Sequence, residues 1–142
     1  MNMKRRILQV QSKMHRNIYQ LSNGRLGAHF GAPTLLITTM GRKSGQPRTN
    51  PLFYLQDGVS WVVVASNAGS DLEPSWWLNL QAFPQAEIQI GGTKYYVSAR
   101  TATAEEYGRL WTKLVAMFAG YADYQNQTTR KITVVILENQ GN

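Results

Sequence analysis

The sequence reads as a mainly β (α+β) domain: an antiparallel barrel of about six short strands with an N-terminal helix, a short helix and one longer helix. Two observations predict it. The early β-prone runs are linked by turns with no helix between them, which argues against a nucleotide-binding βαβ sheet. The length of 142 residues, 43% apolar and 16% charged, suits a single hydrophobic core. Residues 1–142 are therefore expected to form one domain, with 1–30 as helix and connector.

Taken in order, residues 4–21 set Ile7, Val10, Met14, Ile18 and Leu21 at steps of three or four. This gives one apolar stripe on a helix whose other faces carry Lys4, Arg5, Lys13 and Arg16. The stripe packs on the domain, or the basic helix makes peripheral contact with a membrane. Residues 35–39 form a β-prone run that ends at the Gly41–Gly45 loop. Runs 49–55 and 60–65 flank Gln56-Asp57-Gly58-Val59 as a hairpin does. After a polar loop at 66–73, Pro74 opens a helix over 75–82 and Pro84 closes it, because proline is tolerated in a first turn and not inside. Runs 86–90 and 93–100 surround Gly91-Gly92 as two further strands. Thr103 with Glu106 three residues on is a capping box, and Leu110, Leu114, Val115 and Phe118 fit the buried side of the helix that follows. Run 132–137 is the last strand.

Charge is unevenly placed within the net +7. Lys4, Arg5, Arg6, Lys13, Arg16, Arg25, Arg42, Lys43 and Arg48 all precede Asp57, the first carboxylate in the chain. Such a one-sided field attracts anions: a phosphorylated cofactor, nucleic acid or an anionic membrane. Nucleic acid is the weaker expectation, because no aromatic platform interleaves the basic residues. With no cysteine, disulfides, thiolate metal sites and a cysteine nucleophile are excluded. No run approaches the roughly 20 apolar residues that span a bilayer. The basic start is interrupted by polar residues too soon to be a secretory signal, so a cytoplasmic location is expected.

Several segments could carry chemistry. The loop Gly41-Arg42-Lys43-Ser44-Gly45 combines two glycines, two cations and a hydroxyl, and backbone N–H groups of such a turn can cradle a phosphate. It lacks the Walker spacing, so nucleotide hydrolysis is not expected. Arg48 adds a third cation. Val64-Ala65-Ser66-Asn67-Ala68-Gly69 ends an apolar strand in small polar residues that let the backbone approach a flat ring. Trp76 and Trp77 must point about 100° apart on their helix, so that one can be core while the other lines a pocket. The 118–124 segment gathers Phe118, Tyr121 and Tyr124 in a loop, where phenols could cap an aromatic ring or donate to developing oxygen charge. His15 and His29 have no ligand motif around them and no G-x-S-x-G elbow exists, so neither a metal site nor a serine hydrolase is expected.

Together, residues 35–52 (LLITTMGRKSGQPRTNPL), Val64-Ala65-Ser66-Asn67, Trp76-Trp77-Leu78-Asn79-Leu80 and Tyr121-Ala122-Asp123-Tyr124-Gln125 closely resemble the deazaflavin-dependent nitroreductase family over residues 33–138. The resemblance implies a split β-barrel of the flavin-reductase type. It further implies hydride transfer from reduced coenzyme F-420, a deazaflavin with a phosphate and an acidic tail, to a quinone, nitroaromatic or enone. It assigns Arg42, Lys43 and Ser44 to the cofactor phosphate and Arg48, Asn50 and Pro51 to the neighbouring wall. Ala65, Ser66 and Asn67 are assigned to the ring, and Trp76, Trp77 and Asn79 to the cofactor border. Tyr121 and Ser66 are implied as catalytic, with Phe118 and Tyr124 beside Tyr121 in the acceptor pocket. Asn67-Ala68-Gly69 departs from the family's usual Lys-Gly-Gly and removes a cation beside the cofactor. Phe118 stands where tyrosine is frequent. Alternatives are an FMN-dependent barrel reductase, or a non-catalytic protein that binds a cofactor or lipid; the assembly is a monomer or a homodimer.

Overall fold

The computed structural model describes residues 32–141. The helix expected at 4–21 and its connector lie outside the described residues. Seven strands form one sheet: β1 (Thr34–Met40), β2 (Pro47–Phe53), β3 (Leu55–Asp57), β4 (Ser60–Ala65), β5 (Gln85–Ile90), β6 (Thr93–Thr101) and β7 (Thr133–Asn139). Among the described residues three α-helices accompany them: α1 (Ser75–Ala82), α2 (Ala104–Met117) and α3 (Gly120–Asn126). Every pairing is antiparallel, in the order β2-β1-β5-β6-β7-β4-β3. Among the described residues, no helix is long and apolar enough to cross a membrane.

The expected six strands become seven because run 49–55 changes partner within itself. Thr34 pairs with Phe53 at one edge of the sheet, whereas Leu55 pairs with Val62 at the other. Tyr54 lies between, its N–H donating to the Pro33 carbonyl at 3.0 Å. The edge strands β2 and β3 are thus neighbours in the chain, and the sheet curls into a half-barrel to let them meet. The connector expected at 56–59 tightens to Gly58-Val59, with Gly58 at φ +61°, a value that suits glycine.

Curling leaves both faces of β4 and β7 covered, which explains why they are continuously apolar instead of alternating. Trp61, Val63 and Ala65 of β4 and Val135 and Leu137 of β7 join Leu35, Ile37, Ile88, Val97 and the α1 residues Trp76, Trp77 and Leu80 in one core. Val62, Val64, Val134 and Ile136 face a second core with Leu110 and Leu114 of α2 and Tyr121 of α3. The aromatic segment expected as a loop at 118–124 is folded as α3 over most of its length. Seven residues beginning with glycine are too few to display a helical period.

Helix α2 has the expected capping box: Glu106 N–H donates to Thr103 Oγ1 at 3.2 Å, and Thr103 N–H donates to Glu106 Oε1 at 2.9 Å. Arg100 of β6 grips the same carboxylate at 2.7 and 2.9 Å and reaches Glu138 of β7 at 3.3 Å, tying the helix start to the sheet. The Arg100 guanidinium, with the Thr103 N–H, lowers the Glu106 carboxyl from 4.5 to about 2. A carboxyl depressed in the native state contributes stability above its unfolded value and loses it as pH falls through the native one. Urea midpoints should therefore decline from pH 4.5 to about 2. Glu106→Gln should be less stable at neutral pH and decline less steeply across that window; an equal slope would show that this pair does not control acid sensitivity.

Candidate functional site

Strand β1 delivers the basic loop. Its turn is closed by Gly41 N–H on the Gln46 carbonyl and Gly45 N–H on the Gly41 carbonyl, each at 2.8 Å. A Cβ at Gly41 would lie 2.6 Å from Ser44 Oγ and 3.0 Å from the Gln46 carbonyl oxygen, so only glycine fits without displacement. The loop is pinned from below by Asn79 of α1, 3% exposed. Its Oδ1 accepts from both the Arg42 main-chain N–H and Arg42 Nη1 at 3.0 Å, and its Nδ2 donates to Thr39 Oγ1 at 3.1 Å. Arg48 Nη2 donates to Ser44 Oγ at 3.3 Å. Arg42, Lys43 and Arg48 are exposed around a groove of about 590 Å³ whose described lining holds no carboxylate.

Beside the groove is a cleft of about 660 Å³. Asn50, Ser75 and Trp76 line both, so one wall is common to them. The cleft is bounded by Pro51, Leu52 and Phe53 of β2, by Val64, Ser66, Asn67 and Ala68 at the end of β4, and by Phe118, Tyr121 and Tyr124 around α3. The rings pack edge to face: Phe53 to Phe118 and Phe118 to Tyr121 each have centroids 5.1 Å apart, and Trp111 backs Tyr121 at 6.4 Å. Burial, with Tyr124 nearby, pushes the Tyr121 phenol well above its ordinary 10. It therefore stays protonated at neutral pH, where it can donate a hydrogen bond and cannot serve as a base.

The wall at 67–69 holds an uncommon backbone. Asn67 at φ +46°, Ala68 at +55° and Gly69 at +82° are consecutive left-handed residues. For the two that carry a Cβ this costs about 1–2 kcal/mol each. Arg130 spans the back of this loop, donating to the carbonyls of Ala65, Ser66 and Ser70 at 3.2, 3.0 and 2.9 Å.

Of the residues expected at the site, Arg42, Lys43, Ser44, Arg48 and Asn79 line the groove, and Pro51, Ser66, Asn67, Phe118, Tyr121 and Tyr124 line the cleft. Asn50 and Trp76 belong to both. Ala65 and Trp77 line neither, being 0% and 5% exposed in the first core. Strand alternation turns Ala65 away from the side of Val64 and Ser66, and the helical step separates Trp77 from Trp76. Asn79 spends its amide on the protein, making it a support for the loop. Arg130 escaped the sequence reading because its partners are some 60 residues earlier. Leu52 and Phe53, read only as strand, also line the cleft; their place beside Pro51 was the available signal.

The chain folds as a curled antiparallel half-barrel of the split-barrel type, with an aromatic-lined cleft beside a cationic groove. Residues 11–139 match the model of the F420H(2)-dependent quinone reductase family. The F420H(2)-dependent quinone reductase of Mycobacterium tuberculosis is 40% identical over 88% of this chain and 87% of its own length. A solved F420-H2-dependent reductase, FDR-A, is 36% identical with TM-score 0.69, over 75% of this chain and 94% of that one. Another solved structure, described as a domain-swapped dimer, is 32% identical with TM-score 0.70, over 92% of this chain and 97% of that one. The chain belongs to the F420H(2)-dependent quinone reductase family, and is on that ground an F-420-dependent reductase.

Asn79→Ala removes the acceptor for two Arg42 donors. It should cost about 1–3 kcal/mol of stability and weaken binding of F-420 in a fluorescence titration. Asn79→Asp retains the acceptor and should lose less of both; equal losses would show that the Arg42 contacts do not hold the loop.

Proposed function

We propose that this chain catalyses hydride transfer from reduced F-420 to a quinone stacked in the cleft, nitroaromatics and enones being acceptors of the same flat, electron-poor kind. The observation that carries this reading is the wall shared through Trp76 between an aromatic cleft and a groove of three cations. Its dimensions and chemistry suit a ring joined to a phosphate and acidic tail. Arg42 and Lys43 bind the phosphate with Ser44 as a hydroxyl partner, and Arg48 and Asn50 guide the chain that joins it to the ring. Pro51, Ser66, Asn67 and Trp76 confine the ring, which excludes water from the reacting face.

When bound, reduced F-420 supplies the hydride. Tyr121 holds its phenolic proton toward the acceptor oxygen and stabilises the negative charge that develops there. Ser66, at the mouth of β4, positions the ring edge with its hydroxyl and is the second residue in direct contact with the reacting groups. Phe118 holds the Tyr121 ring by edge-to-face contact, and Tyr124 packs in turn, tilted, against Phe118. The 32%-identical domain-swapped dimer supports a homodimer. Light scattering of the purified chain at twice the 16.0 kDa monomer mass is the expected result, and a monomer would refute it.

Titration with F-420 and with FMN, followed by fluorescence, should give tight F-420 binding and weak FMN binding. Preference for FMN would overturn the cofactor assignment for this chain. Tyr121→Phe should lower kcat by about 10²-fold or more while leaving the Kd for F-420 within a few-fold; parallel loss of both would make Tyr121 a packing residue. Because its phenol is raised, the wild-type rate should show no alkaline decline from Tyr121 below about pH 10.

A further inference from the structure

We infer that Arg130 is a positioning residue that fixes the width of the cleft by clasping the left-handed loop Asn67–Gly69 to the helix bearing Tyr121 and Tyr124. The inference rests on the functional reading above only in taking this cleft as the ring site.

The two walls of the cleft come from distant parts of the chain, and Arg130 binds one while being fixed to the other. Its side chain is 15% exposed, and its Nη2 donates to the Ala65 and Ser66 carbonyls at 3.2 and 3.0 Å. Nε donates to the Ser70 carbonyl at 2.9 Å, and Nη1 approaches Glu73 Oε1 at 3.4 Å. The rigid fork thus spans the carbonyls before and after the three left-handed residues. Its own main chain is anchored to α3: Gln125 Nε2 donates to the Arg130 carbonyl at 2.8 Å, while Gln125 Oε1 accepts from Ile132 N–H at 2.9 Å. Thr128 Oγ1 donates to Asp71 Oδ1 at 2.6 Å, a second clasp between the same segments.

The contact is close enough to require glycine on the loop side. A Cβ at Gly69 would lie 2.7 Å from Gln127 Oε1 and 3.1 Å from Tyr124 Cα. Asn67 tolerates positive φ better than most residues but Ala68 does not, so this conformation persists only because surrounding contacts impose it. Released from Arg130, these two residues would relax toward negative φ. The Ser66–Ala68 wall would then shift against Tyr121 and Tyr124. Lysine could not substitute: it offers a point charge on a flexible stem in place of a planar fork that addresses several carbonyls at once.

The test compares wild type, Arg130→Lys and the double variant Arg130→Lys with Ala68→Gly, by F-420 titration and by amide hydrogen exchange. Arg130→Lys should raise the Kd for F-420 by about tenfold or more, the size expected when charge-assisted hydrogen bonds are lost. It should raise the KM for F-420 more than the KM for the quinone. Exchange should quicken at 66–73, while the amides pairing β4 with β7 keep their protection. Ala68→Gly adopts positive φ without strain and should recover both the affinity and the protection, and the fold itself if Arg130→Lys alone does not fold. An unchanged Kd and unchanged exchange in Arg130→Lys would overturn the inference. So would failure of the glycine to restore either, or loss of protection throughout the sheet in step with affinity, since a residue that only stabilises the fold gives those results. If wild type itself does not bind F-420, the cofactor reading fails; the exchange and glycine-rescue readouts still decide the role of Arg130.

Discussion

Strands β2 and β3 stand at opposite ends of the sheet order yet are separated in the chain by Tyr54 alone. A flat seven-stranded sheet would set its edges roughly 28 Å apart at the usual spacing between strands, far beyond the reach of one residue. The sheet must curl, and the other features of the site follow from that closure. Curling brings the Asn50–Phe53 stretch of β2 opposite the end of β4, which opens the cleft between them. It also gives β4 and β7 a core on each face, so helix α1 can carry Trp76 to the inner one while α3 presents Tyr121 at the outer one.

The charges divide along the same geometry. Asp57 pairs with Arg109, Glu106 and Glu138 share Arg100, and Glu73 meets Arg130. Four of the eight acids are thus matched with arginines of the scaffold, whereas among the described residues Arg42, Lys43 and Arg48 form no ion pair. An exposed pair such as Asp57 with Arg109 contributes little stability on its own. The larger effect of these pairs here is to leave the positive potential concentrated at one loop, where an anionic tail would be drawn in.

Much of this architecture was legible in the sequence, for local reasons. The span of α1 follows from its bracketing prolines, β4 from an unbroken apolar run, and the start of α2 from the Thr103 and Glu106 pair. The basic loop and the aromatic cluster were likewise visible as local compositions. What sequence could not supply were relations between distant residues. Nothing around Tyr54 announces that the chain changes partner there, because both flanking stretches have strand character. Asn79 read as a residue of the cofactor border, and nothing local showed that its amide also supports Arg42 from 37 positions away. Arg130 sits in a polar turn of no distinctive composition, and the backbone it steadies is left-handed at Asn67 and also at Ala68, whose identity gives no such warning.

Strand β7 is the piece that unites β1, β2, β5 and β6 with the β3–β4 hairpin, pairing with β6 on one side and β4 on the other. During synthesis it emerges after both of its partners. Until then the edges of β4 and β6 that it covers have no partner strand. Acquisition of the native state is therefore a late, long-range event, with a contact order that favours slow folding. The unpaired edges present in the interval are surfaces on which chaperones or other nascent copies can act.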